Sequence, residues 1–158
     1  MQTLYHTSLV LHIIGLTMLA GVTLVDFILF KQFWKHLKSD KKEGLAINAA
    51  MSKLPALFGI GVILLILSGV GMMAITNGVF GEQVWFRIKI ALVVIIIING
   101  LTVGRRQGAK LRKILPEVTS ENDIDSRLLK IRVRLRRFHI SQLALFIIIF
   151  VLSVFKFN

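Results

Sequence analysis

Few side chains in this sequence can do chemistry, and several of them lie inside apolar runs. The stretch SLVLHIIGLTMLAGVTLVDF, residues 8–27, carries His12 near one end and Asp26 near the other. An aspartate at mid-depth in a bilayer costs roughly 2.5–3.5 kcal/mol on insertion scales, so each group needs a partner or a task. Tyr5, His12 and Asp26 are spaced by 7 and 14 residues, which puts them on one face of a helix of about 3.6 residues per turn. A rise of about 1.5 Å per residue holds His12 and Asp26 ~21 Å apart along that face. They belong to separate clusters.

The outer cluster is His12 with Lys89, at similar depths in their own runs. Met72 and Met73 close a third run on the same side, and Tyr5, His6, Glu82, Trp85 and Arg87 surround the mouth. An imidazole and an ammonium at matching depth suit an anion, a redox cofactor or a proton relay. The structural alternative has Lys89 snorkelling outward, His12 donating to a backbone carbonyl and Trp85 anchoring the interface. The inner cluster gathers Asp26, Asn99, Thr102, His139 and Gln142. Pairing of Asp26 with Arg105, Arg137 or His139 explains it structurally; a proton path is the functional alternative.

Metal chemistry is constrained by spacing. A His-x-x-x-His pair is absent, and His12 lies opposite His36 and His139, while His6 falls on another face of its helix. No two histidines therefore share a plane for a bis-His haem b. His12 with Met72 or Met73 is compatible with haem or copper, with His6 as a further copper donor. The chain has no Cys, which excludes disulfides and thiolate metal sites.

The elements that position these residues are four apolar runs, at about 4–33, 54–75, 84–103 and 138–155. Each approaches or exceeds the roughly 20 residues a helix needs to cross the hydrocarbon core. Runs such as ALVVIIIING and LFIIIFVLSV do not alternate, which argues for helices over a β-barrel. With 158 residues, 55% of them hydrophobic, and a mean hydropathy of +0.76, the chain needs lipid as part of its solvent. The expected fold is all-α: one domain of four transmembrane helices. The start, MQTLYHTS, lacks the basic region of a cleaved signal, so the first run is expected to be retained.

A net charge of +12 suggests nucleic acid until its distribution is considered. Seventeen of the twenty lysines and arginines lie in two connections, from Lys31 to Lys53 and from Arg105 to Arg137. Both fall on one side, which the positive-inside rule makes cytoplasmic, with both termini outside. Anionic headgroups are the expected partner, and nucleic acid is not. Asp40 and Glu43 have capping-box spacing, so a helix should begin near Lys41 with Pro55 kinking it. In the connection 104–137, SENDID suits a helix N-terminus. Ile124, Leu128, Ile131, Leu135 and Phe138 then mark a basic amphipathic helix running into the fourth span. Gly100, Gly104 and Gly108, spaced by four, and Gly59, Gly61, Gly69 and Gly71 point to close helix packing, or to a homodimer through the Gly100–Gly104 face.

LHIIGLTMLAG, MSKLPALFGIGVILLILSGVGMM and VWFRIKIALVV resemble the HemJ-type protoporphyrinogen oxidase family, which is related in fold to CopD-like copper-resistance membrane proteins. The likeness covers all four spans loosely, including Pro55, Arg105 and the terminal FKF. It implies that His12 binds haem and that Lys89, in a Trp-x-x-x-Lys pattern from Trp85, is functional. Arg87 stands where that family has His, Asn99-Gly100 where it has Tyr-His, and His-Ile-Ser-Gln from His139 where it has Asn-Glu-x-Pro. The expectation is a haem- or tetrapyrrole-associated redox protein of a bacterial cytoplasmic membrane. Lys89 and Arg87 would be catalytic, His12, Met72, Tyr5, Trp85 and Arg105 would bind the cofactor, and a quinone or porphyrin would be the partner. A copper-handling protein using His6, His12, Met72 and Met73 is one alternative, and a non-catalytic subunit or scaffold is the other.

Overall fold

The structure, a computed structural model, describes residues 2–115 and 121–155; the side chains of Lys38 and of residues 121–127 are outside the description. Among the described residues every regular element is helical: α1 (Gln2–Ser39), α2 (Lys41–Met51), α3 (Leu54–Ile75), α4 (Val84–Asn99), a π-helical turn (Gly100–Gly104), α5 (Arg105–Ile114) and α6 (Glu121–Val154). Four stretches are long and apolar enough to cross a membrane, namely Gln2–Leu37, Lys41–Ile75, Val84–Ile114 and Leu128–Val154. Their outward faces carry residues such as Leu67, Val70 and Ile147, all well exposed to the surroundings. A continuous apolar surface of that kind is what a lipid solvent requires.

Helix α1 ends where Asp40 turns extended and accepts hydrogen bonds from the backbone N–H groups of Lys42 (2.8 Å) and Glu43 (3.3 Å). That side chain supplies acceptors to the first free donors of α2. The reciprocal half of a capping box is not made, because Glu43 reaches back to His36 Nδ1 instead (2.7 Å). Pro55 does not kink a continuous helix. The helix breaks before it, and Pro55 sits in the first turn of α3, where its missing N–H costs nothing.

Helix α1 packs chiefly on α3, α4 rests on α6, and the two pairs join where α1 meets α6. The α1–α3 seam is set by small residues: a Cβ on Gly15 would lie 2.9 Å from the Leu65 backbone nitrogen, and one on Gly61 would lie 3.0 Å from Leu19 Cγ. One core holds Leu19, Leu65, Ile96, Phe146 and Ile149 at mid-span. A second lies at the basic end, where Phe33, Trp34 and Leu37 of α1 pack with Leu111 of α5, Leu115, and Leu128, Ile131 and Leu135 of α6. The amphipathic helix thus runs straight into the fourth span, its apolar stripe covered by α1 and α5. Helix α6 begins at Glu121, within the SENDID stretch, whose Ser120 lies outside the described residues, as do the side chains through Ile124 and residues 156–158 at the end of the chain.

The π turn adjoins the aromatic packing. Gly100 faces Phe58, and Gly104 faces Phe138, whose Cζ would be 2.7 Å from an added Cβ. The face considered for a homodimer is therefore occupied within the chain by Phe58 and Phe138.

Candidate functional site

Two polar sites are built. The first is at the α1–α3 seam, away from the basic end. Ser68 Oγ donates to the Leu64 carbonyl (2.6 Å) and lies 3.1 Å from His12 Nδ1. A hydroxyl has one hydrogen to give, so Ser68 accepts here and Nδ1 carries the proton. With Nδ1 protonated, the neutral ring carries its lone pair on Nε2. Gly69 makes room for the imidazole: a Cβ there would stand 3.4 Å from His12 Cε1. Lys89 of α4 lies close enough to act electrostatically on the same ring, so the two groups matched in depth are brought together.

The other outer residues are placed individually. Met72 follows Ser68 by four residues and so shares its face of α3; both it and Met73 are half-buried. Tyr5 meets His6 edge-on at 5.9 Å between centroids. Trp85 is buried and packs edge-on against Phe80 and Phe86. Arg87 Nε donates to the Gly81 carbonyl (2.9 Å), tying down the α3–α4 connection. Among the described residues no three His, Cys, Asp or Glu side chains gather as a metal cluster.

The second site lies toward the basic end. His139 is fully buried, and Phe30, Phe138 and Phe27 surround its ring at 4.9, 5.2 and 5.9 Å between centroids. Its Nδ1 lies 2.7 Å from the Leu135 carbonyl and its Nε2 lies 2.9 Å from Asp26 Oδ2. A carbonyl only accepts, so Nδ1 must donate. The Nε2–Oδ2 bond then holds one proton, on the imidazole or on the carboxyl. Of the three partners considered for Asp26, the structure selects His139. The rings around it explain why: they exclude water and leave the imidazole no other acid to meet.

Asp26 and His139 line a cavity of about 390 Å³, with Arg105, Asn48 and Gln142 also on its wall. Gln142 is fully buried; its Nε2 donates to the Ile96 carbonyl (3.0 Å), while its Oε1 has no donor among the described residues. Arg105 thus belongs to this inner site and not to the outer cluster. Asn99 turns to Ser141 Oγ (3.4 Å) and Thr102 to the Ile98 carbonyl (2.7 Å). Of the polar group expected here, Asp26, His139 and Gln142 converge. Sequence reasoning missed Ser68, the partner of His12 Nδ1; a serine beside Gly69 and three residues before Gly71 was its only signal.

Fold and sites together define a four-span helical integral membrane protein with polar groups inside the bundle. Over residues 7–157 the chain matches, and belongs to, the family described as "Predicted integral membrane protein (DUF2269)". No curated protein and no solved structure matches it.

Proposed function

We propose that this protein is a membrane redox protein associated with haem or a related tetrapyrrole, with His12 as the ligand. The observation that carries this reading is the His12 Nδ1–H held by Ser68. Ligating imidazoles typically donate their other ring N–H to a fixed acceptor, which orients the ring and sets its tautomer. His12, beside Gly69 and with Met72 on the same face of α3, would hold the iron of such a group through Nε2. Lys89 supplies a positive charge beside that ring, suited to a propionate. When bound, a haem would supply one-electron exchange. The chain's own contributions are to hold the half-buried imidazole at the α1–α3 seam and to place the half-buried ammonium of α4 where it acts on that ring. The resemblance to the HemJ-type oxidases supports the same assignment.

The test is the absorption spectrum of the detergent-purified protein, expressed with ample haem supply, air-oxidised and then dithionite-reduced. A Soret band with sharpened bands on reduction is expected, and His12→Ala should abolish it. Ser68→Ala should weaken haem retention by about 10–100-fold, the usual effect of losing such a partner. A blank wild-type spectrum would sink the assignment.

The Asp26–His139 pair favours a second reading, a protein that takes up a proton from the basic side. Its one shared proton borders a cavity whose volume falls in the common range for small-molecule sites of about 300–1,000 Å³. A quinone head group is of a size to enter it and would exchange electrons and protons together.

A further inference from the structure

A second groove, of about 420 Å³, opens between α1 and α6 at the basic end and shares no lining residue with the Asp26 cavity. Lys31, Lys35, Arg132 and Arg136 bring four positive charges to it, and among its described lining residues there is no carboxylate. Lys31 Nζ lies 4.3 Å from the Phe27 ring centroid and Arg132 Cζ lies 5.3 Å from that of Trp34, so two of the cations are held against ring faces. Trp34 also lines the groove. It is 5% exposed, and its Nε1–H is buried with no acceptor among the described residues.

These features demand the same chemistry. An indole N–H can only donate, and a buried donor left unserved is costly. Four cations with no carboxylate among the described lining residues attract negative charge. A phosphate answers both needs, and the apolar wall of Phe27, Phe30, Leu129 and Val133 suits hydrocarbon chains. The positive-inside rule places this end in the cytoplasmic leaflet, where basic pockets between spans take up anionic headgroups. We propose that the groove binds one anionic phospholipid, its phosphate oxygens accepting from Trp34 Nε1–H and from Arg132 and Arg136. This is a built site, distinct from the diffuse attraction that any basic surface exerts on the membrane.

The full chain would be reconstituted in equimolar phosphatidylglycerol and phosphatidylcholine, and the lipid retained after extraction into detergent identified by native mass spectrometry. Wild type should retain phosphatidylglycerol selectively. The double variant Arg132→Gln with Arg136→Gln should lower that selectivity about tenfold, while Arg106→Gln with Lys110→Gln, an equal charge loss on α5, should change it less than about twofold. Equal loss in both doubles would overturn the proposal in favour of diffuse attraction. In a Trp85→Phe background Trp34 is the single tryptophan, and its emission should shift on adding phosphatidylglycerol to delipidated protein, but not with phosphatidylcholine. Trp34→Phe, which keeps a ring in place, should lower phosphatidylglycerol retention. The same emission shift with millimolar inorganic phosphate alone would assign the site to free phosphate and overturn the lipid.

Discussion

His139 is enclosed by three phenylalanine rings and hydrogen-bonded at both ring nitrogens, and this decides what substitutions at Asp26 should do. In Asp26→Asn the amide can donate to Nε2 while Nδ1 still serves the Leu135 carbonyl. The bond survives without its charge. Melting in detergent should then change by less than about 1 kcal/mol, whereas Asp26→Leu, which strands a buried ring nitrogen, should lose ~1–3 kcal/mol. Equal losses in the two variants would mean that charge, rather than the hydrogen bond, holds the pair. Proton uptake, if the pair performs it, should fall in both. His12 presents a different case: its Nδ1 partner is a neutral hydroxyl, which leaves Nε2 for a ligand. Both histidines could be picked out as odd letters in apolar runs. Their partners could not, because a serine and an aspartate have many equivalent places to turn.

Among the elements, the glycines separate by what faces them. A methyl group on Gly15 would meet backbone, and one on Gly104 would meet the Phe138 ring. Overpacking of that kind costs about 1–3 kcal/mol, so Gly15→Ala and Gly104→Ala should each lower thermal stability measurably. Gly59, with nothing within 4 Å of an added Cβ, is the control: Gly59→Ala should melt within about 0.5 kcal/mol of wild type, as changes away from special sites do. Similar shifts at all three positions would mean that the glycines act through backbone freedom and not through close approach. The same local logic explains Pro55, which opens a helix because a ring without an N–H is tolerated in a first turn. The sequence pointed to a kink within a continuous helix; the two turn residues before Pro55, Ser52 and Lys53, make it a break.

For the molecule as a whole, the charge asymmetry predicts one orientation, and the absence of cysteine makes it easy to test. Glu82 and Lys110 are both exposed, one in the α3–α4 connection and the other on α5. A membrane-impermeant maleimide should label Glu82→Cys in intact cells and Lys110→Cys only after lysis; the opposite pattern would invert the topology. The number of spans, the helical class and the helix running from the basic connection into the fourth span were all legible in the sequence. Apolar length, absence of alternation and three-to-four spacing are local properties, and a bilayer admits few backbone solutions. The depth match of His12 and Lys89 was legible for the same reason, since helical rise converts sequence position to depth. The tertiary structure alone decided that Asp26 takes His139, 113 residues away, that Asn99 turns from that pair, and that Gly100 and Gly104 are spent on Phe58 and Phe138. It alone put Trp34 beside Arg132 with an N–H that no described residue accepts. Such choices depend on how the helices cross and rotate, which is set by side-chain fit between distant elements and leaves no periodic trace along the chain.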